Sequence, residues 1–233
     1  MRPPQSQQQK AQALFDCNGH ATARAVNMAV TACFAQVIAA IVFIDRPLAD
    51  FAHTLPSDDK PVFAALTHLV DPIPVVAGLI TAWFTVAALR GVRPGPRGRR
   101  ALRIALAILV AIALKEQLKV LTGRTWPETW TNNNPSYIKD GVFGFFPLEG
   151  WRSPGRAYHS FPSGHMTMIS AAAVSMALNW PRWRWAASLP VALVAVGMIG
   201  ANYHWASDLI AGTALGAAVA IAAHRLGRRG PSA

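Results

Sequence analysis

Long apolar runs separated by basic, aromatic or glycine-rich breaks set the plan of this 233-residue chain. From Val26 to Ile44 no charged residue interrupts the run. Nineteen residues at ~1.5 Å rise nearly cover a ~30 Å hydrocarbon core, so this stretch predicts a first membrane span. Later spans are predicted at Ile73–Leu89, Ala101–Leu118, His165–Leu178, Ala186–Tyr203 and Asp208–Ala223. Lys115 and Glu116 fall near the far end of the third, where snorkelling makes a charge cheaper. Gly212 and Gly216 in the last are spaced for close helix contact. Between the first two runs, residues 45–71 mix Pro47, Pro56 and Pro61 with Asp58-Asp59 and short apolar clusters. That pattern predicts one or two amphipathic helices at the interface, with His53 and His68 as ordinary interfacial or packing histidines. The segment from Lys119 to Ser160 reads as a long loop, and loops of that length between spans usually carry function. The fold class is therefore an all-α polytopic membrane bundle of about six transmembrane helices, with an interfacial helix and a long outer loop carrying the site. Residues 1–25, rich in Gln, read as a disordered cytoplasmic tail with a short surface helix near Ala11–Ala25, residues 26–225 as the membrane domain, and 226–233 as a basic tail.

Composition agrees: 52% hydrophobic and 14% charged residues are too apolar for an ordinary soluble domain. A formal net charge of +11 would suggest nucleic acid in a soluble protein. Here most of the 22 Lys and Arg residues cluster in residues 1–25, 90–103, 180–185 and 225–229, where of the 11 acids only Asp16 falls. Under the positive-inside rule both termini are cytoplasmic, and the partner of the charge is the membrane, not nucleic acid. Lys119–His165 and His204–Asp208 then face the periplasmic or extracytoplasmic side of a plasma or inner membrane. Trp180, Trp183 and Trp185 around Arg182 and Arg184 make an interface belt. Cys17 and Cys33 form no disulfide framework, and no secretory signal precedes the first run.

Chemistry concentrates in His159-Ser160-Phe161-Pro162-Ser163-Gly164-His165, a polar turn delivering a histidine onto the start of an apolar run. A helix start presents unpaired N–H groups and partial positive charge, which suit a phosphate-like anion. Pro-Ser-Gly could equally do no more than cap a helix. A second stretch tips the balance: His204 and Asp208 stand four apart, one helical turn, at the opening of the last run.

These residues resemble the type 2 phosphatidic acid phosphatases, which share a fold with vanadium haloperoxidases. The family pattern is a Lys with Arg-Pro seven and eight residues on, then Pro-Ser-Gly-His, then Ser-Arg followed by His and, four later, Asp. Lys119, Pro127, Pro162-Ser163-Gly164-His165, His204 and Asp208 match it. The resemblance implies a lipid phosphate substrate, no cofactor, no metal, and a pocket at the outer membrane surface. His204 would be the nucleophile, Asp208 its orienting carboxylate, and His165 the acid that protonates the leaving oxygen and then the base that activates water. Lys119, Ser163 and Gly164 would hold the phosphate oxygens.

Two departures stand out. Trp126 replaces the arginine of the first motif, and Gly197-Met198 replaces Ser-Arg in the third. At roughly 1.5–3 kcal/mol per charged hydrogen bond, an uncompensated double loss would cost about 3–6 kcal/mol. Arg124 is the first candidate to compensate by binding phosphate, with Arg152 and Arg156 as looser ones. The rival reading is a non-catalytic lipid-phosphate-binding or transport-related protein that kept the histidines. Vanadate-dependent halide oxidation is weaker, because it relies on a cation-rich pocket. His165 and His204 lack further ligands at metal spacing. Trp126, Trp130 and Trp205 read as headgroup-depth residues, with walls along which a lipid enters as the alternative, Tyr158, His159 and Tyr203 as interfacial or pocket-lining, and Asn132–Asn134 as a solvated turn.

Overall fold

The structure, a computed structural model, describes residues 5–129, 134–153 and 155–229, with side chains from Arg24 to Arg228. The readings made for residues 1–4, Trp130, Asn132, Asn133 and 230–233, and for the side chain of Cys17, lie outside them.

Among the described residues the chain is all helical, with isolated β-bridges and no strand. Helix α1 runs Gln5–Phe43, beginning within the segment read as a tail and ending one residue short of the predicted span. The mixed segment folds into α2 (Asp45–His53) and α3 (Lys60–Thr67), followed by a 3₁₀ turn. Pro72 at its first turn sets φ for α4 (Pro72–Leu89). Helix α5 (Pro96–Thr122) starts the same way and stops at Gly123, whose φ of 58° is left-handed. A side chain there would strike the Phe146 carbonyl, so this stop needs glycine. Two single-turn helices, α6 (Tyr137–Asp140) and α7 (Glu149–Arg152), punctuate the long loop. Helices α8 (Gly164–Asn179), α9 (Arg184–Gly200) and α10 (Ala206–Arg229) complete the bundle, the last running through residues 226–229.

Helix α8 lies at the centre, packed against α4, α5, α9 and α10. One apolar cluster joins Val70, Met166, Ile169, Val194, Met198 and Leu209; a second joins Ala77, Ala105, Ile108, Ala111 and Ala171. Alanine dominates the second because small side chains let helices without a hydrophobic drive between them approach closely. The outer surface inverts the soluble pattern. Phe34, Leu79, Trp83 and Leu189 are exposed, and only 6% of the apolar stretch across α3 and α4 is buried. A surface like this requires lipid around it.

Four stretches among the described residues are long and apolar enough to cross a membrane: Arg24–Phe43, Lys60–Leu89, Pro181–Gly200 and Ala206–Arg228. The other two predicted spans coincide with α5 and α8. Helix α5 has the length, but Arg103, Lys115, Glu116 and Lys119 break its apolar run, and α8 has only 16 residues. Both pack inside the bundle and carry site residues.

Candidate active site

The site forms where α8 and α10 cross. A Cβ on Gly212 would strike the Ser163 carbonyl, and one on Gly216 the Thr167 carbonyl and the Ala171 amide. The two bare positions therefore let the backbones touch. As a result the Ser163 amide donates to the Asp208 carbonyl at 3.0 Å, joining the two histidine motifs directly through the main chain. Ser163 caps α8, its oxygen accepting from the Met166 amide at 3.5 Å, which leaves the hydroxyl proton available to donate. Ser163 and Gly164 are both buried.

Behind His204 lies a buried chain of charges. The His204 Nδ1 meets Asp208 Oδ2 at 3.2 Å. Asp208 also accepts from Ser160 Oγ, from the Trp205 amide at 3.2 Å and from Arg124. Arg124 reaches on to Asp45 Oδ2 at 2.6 Å and to Ser207 Oγ at 2.6 Å, and Asp45 accepts from the Ser207 amide at 3.0 Å. Asp45, Arg124 and Asp208 are all 1% exposed or less. Burial holds the His204 imidazole below the usual histidine range, against the Asp208 bond, which pulls it up; Lys119 and Arg124 push it further down.

Arg124, expected at the phosphate, is engaged by side chains of the protein itself. Its terminal nitrogens are occupied by two carboxylates and a hydroxyl, and its guanidinium lies among the rings of Phe143, Phe145, Phe161 and Trp205. A buried guanidinium needs its counter-charges. The arginine therefore braces the carboxylate that braces His204.

Lys119 is buried, and its Nζ donates to the His159 carbonyl. His165, half-buried on the first turn of α8, is in electrostatic reach of His204, Lys119 and Lys115. The structure thus brings together His165, His204, Asp208, Lys119, Ser163 and Gly164. Of the looser cations, Arg152 is exposed and paired with Glu149 at 3.3 Å, while Arg156 is exposed and acts electrostatically on Lys119.

Trp126 and Met198, the two departures, have definite places. The Trp126 ring centroid lies 5.0 Å from that of His204 and 5.7 Å from the Lys119 ammonium, and its Nε1 donates to the Arg156 carbonyl at 3.0 Å. Met198 is fully buried in the first apolar cluster. Trp126 and Trp205 are buried inside the protein and do not face lipid, Trp205 donating to the Thr125 carbonyl at 2.7 Å. Asn134 is buried too and bonds the Glu128 carbonyl at 3.4 Å, so that part of the expected solvated turn is packed. Lys115 is not a snorkelling end charge; it is 7% exposed and inside the bundle.

Sequence reasoning missed Asp45, Ser160, Ser207 and Asn202. Asn202 adopts a left-handed φ of 54° and donates to the Ala49 carbonyl at 3.1 Å and to Glu128 Oε2 at 3.0 Å. Glu128 also binds Lys60 and His53. Partial burial raises its pKa, but the Asn202 bond and the Lys60 charge outweigh that and hold it below the usual carboxylate range. These bonds clamp the long loop to α3 and to the turn bearing His204. His68 pairs with Asp71 at 2.8 Å and takes no part.

The family model described as the PAP2 superfamily matches residues 100–230. An undecaprenyl-diphosphatase of Sulfolobus acidocaldarius is 27% identical over 150 residues, 64% of this chain and 65% of that protein. A lipid A 1-phosphatase of Rhizobium johnstonii is 37% identical over 84 residues, 36% of this chain and 33% of that protein. The chain thus covers less than two thirds of either relative. The crystal structure of a transmembrane PAP2 type phosphatidylglycerolphosphate phosphatase from Bacillus subtilis superposes with a TM-score of 0.50 and 16% identity, over 87% of this chain and 97% of that one. That likeness is one of fold.

Proposed function

The chain belongs to the PAP2 superfamily, and from that premise we propose that it is a membrane phosphatase acting on a lipid phosphate or pyrophosphate through a phosphohistidine intermediate. The observation that carries the reading is the buried Asp45–Arg124–Asp208–His204 relay ending beside His165 and Lys119. Asp208, bonded to Nδ1, fixes the tautomer in which Nε2 is the nucleophile. Burial favours the neutral imidazole, which attacks a phosphate dianion more readily than an anion would. As Nε2 bonds to phosphorus, the bond to the lipid oxygen breaks and His165 delivers a proton to that oxygen. His165 then takes a proton from water, the water oxygen bonds to phosphorus, and the P–N bond breaks to restore His204. Lys119, Ser163 and Gly164 hold the oxygens on which transition-state charge collects. Arg124 positions Asp208 and does not touch phosphate.

The reading includes six spans, with α5 and α8 crossing beside the four more apolar stretches. Helix α5, at 27 residues, is ~40 Å long and suffices. The basic segments of residues 90–103 and 180–185 then share the cytoplasmic side with both termini, and the site opens on the outer face. The chemistry needs no metal. Both relatives named for a reaction act on lipid-linked phosphates, which supports a lipid substrate for this chain.

The test is phosphate release from a panel of lipid phosphates and pyrophosphates in detergent, with and without chelator, by wild type and His204→Ala. An acid-labile phosphoenzyme and turnover in wild type alone are the expected results. Equal release by both proteins, or none by either, refutes the enzyme.

A further inference from the structure

The pocket has lost arginines at 126 and 198, and Arg124 is neutralised by Asp45 and Asp208. A phosphoryl dianion needs more than Lys119. Lys115 lies one turn before Lys119 on α5, on the same face. The three heavy atoms nearest to where a Gly164 side chain would begin are Lys115 Nζ, Cδ and Cε, at 3.1, 3.3 and 3.3 Å. The lysine thus occupies the space Gly164 leaves empty and brings its ammonium to the first residue of α8, beside the N–H groups of that helix start. Its bonded partner is the carboxylate of its neighbour Glu116, whose side chain is 42% exposed. Lys115 and Lys119 repel one another, and both charges act on His165. Like charges held together away from water call for an anion between them, and a half-exposed carboxylate supplies only part of one.

We propose that Lys115 is a phosphate-binding residue that replaces the charge missing at Trp126 and Met198, with Glu116 as an internal counter-ion that the phosphoryl group displaces. It rests on the phosphatase reading for the identity of the anion. An ammonium released from Glu116 donates to an equatorial oxygen from the α5 side, while Lys119 and the Gly164 amide donate from the other positions. The carboxylate, left half in water, loses little when its partner moves.

Orthovanadate binding measured by calorimetry on detergent-solubilised full-length protein needs no turnover, and phosphate release from dioctanoyl phosphatidic acid runs beside it. Lys115→Met is expected to weaken vanadate by about tenfold to a hundredfold, the range for one charged hydrogen bond, and to raise KM similarly. Lys115→Arg should retain most of the affinity. Glu116→Gln should tighten vanadate, a gain that a purely structural lysine would not produce. Wild-type affinity in a folded Lys115→Met overturns the proposal and leaves the phosphatase reading intact. A wild type that binds vanadate through Lys115 yet releases no phosphate refutes the phosphatase and keeps the anion site. If Lys115→Met does not fold, Glu116→Gln decides, and unchanged or weaker vanadate binding there overturns the assignment.

Discussion

Replacing Asp45 by leucine removes one of the two carboxylates that neutralise Arg124. The guanidinium keeps Asp208 and Ser207, but it lies at 0% exposure and no water reaches it to replace the lost partner. Because Asp208 still balances the guanidinium, the loss is that of one charged hydrogen bond, about 1.5–3 kcal/mol. At ~2–4 °C per kcal/mol for a chain of this size, the unfolding temperature followed by tryptophan fluorescence in detergent should fall by about 3–12 °C. The logic is tested by sign rather than size. In an Arg124→Met background the Asp45 carboxylate is itself the uncompensated charge, so adding Asp45→Leu should be neutral or stabilising. Asp45→Leu costing the same in both backgrounds would refute the ion-pair account and reduce Asp45 to a packing residue. The effect on catalysis should also have a signature. Asp45 acts on His204 only through Arg124 and Asp208, so Asp45→Asn, which keeps the shape, should lower kcat more than it raises KM.

His204→Ala should abolish phosphoenzyme formation, whereas His165→Ala should slow phosphate release by roughly 10²–10⁴ while still allowing vanadate to bind; radiolabel trapping and steady-state rates check both. Because burial depresses the His204 pKa, its neutral form persists below the ordinary histidine value, and the acid limb of kcat/KM should lie below about pH 6.5. The same depression means that stability from this residue is present above the unfolded value and is lost as pH falls, since the unfolded chain binds the proton more readily. Gly212→Leu should destabilise by at least the ~1–3 kcal/mol of an overpacked contact and abolish turnover together, because its side chain would drive the Ser163 carbonyl away from α10. Met198→Arg should fail to restore a family-like cation and should unfold earlier, since position 198 is fully buried among Val70, Met166, Val194 and Leu209.

What could be read from the sequence follows from the range of the interactions. Helices α4, α8 and α9 match their apolar runs within three residues, because lipid-facing and core-facing segments announce themselves by composition alone, whereas α10 runs six residues past its apolar stretch into the basic end. Gly212 and Gly216 were legible as a contact face because their spacing is local. Asp45 was not, since its partner Arg124 is 79 residues away and nothing in the intervening chain marks the pairing. The one available signal was chemical. An arginine immediately after a helix-ending glycine, in a chain with only 11 acids, needs a counter-charge, and Asp45 heads the helix following the first apolar run. Lys115 was misread for the opposite reason, as a local snorkelling pattern that depends on which way a side chain turns. Its side chain is aimed at Gly164 and not at the interface. Trp126 shows the same limit. Compared with a motif it is a missing arginine; in space it is an apolar wall 5.0 Å from the His204 ring that also faces the Lys119 ammonium. Exchanging a cation for a ring at that position removes a phosphate contact but also removes water from around the nucleophile, and electrostatic attraction to the remaining lysines strengthens as water leaves. Fewer cations in a drier pocket can therefore hold the same anion, and this is the physical sense in which two lost arginines and a complete histidine pair are compatible within one site.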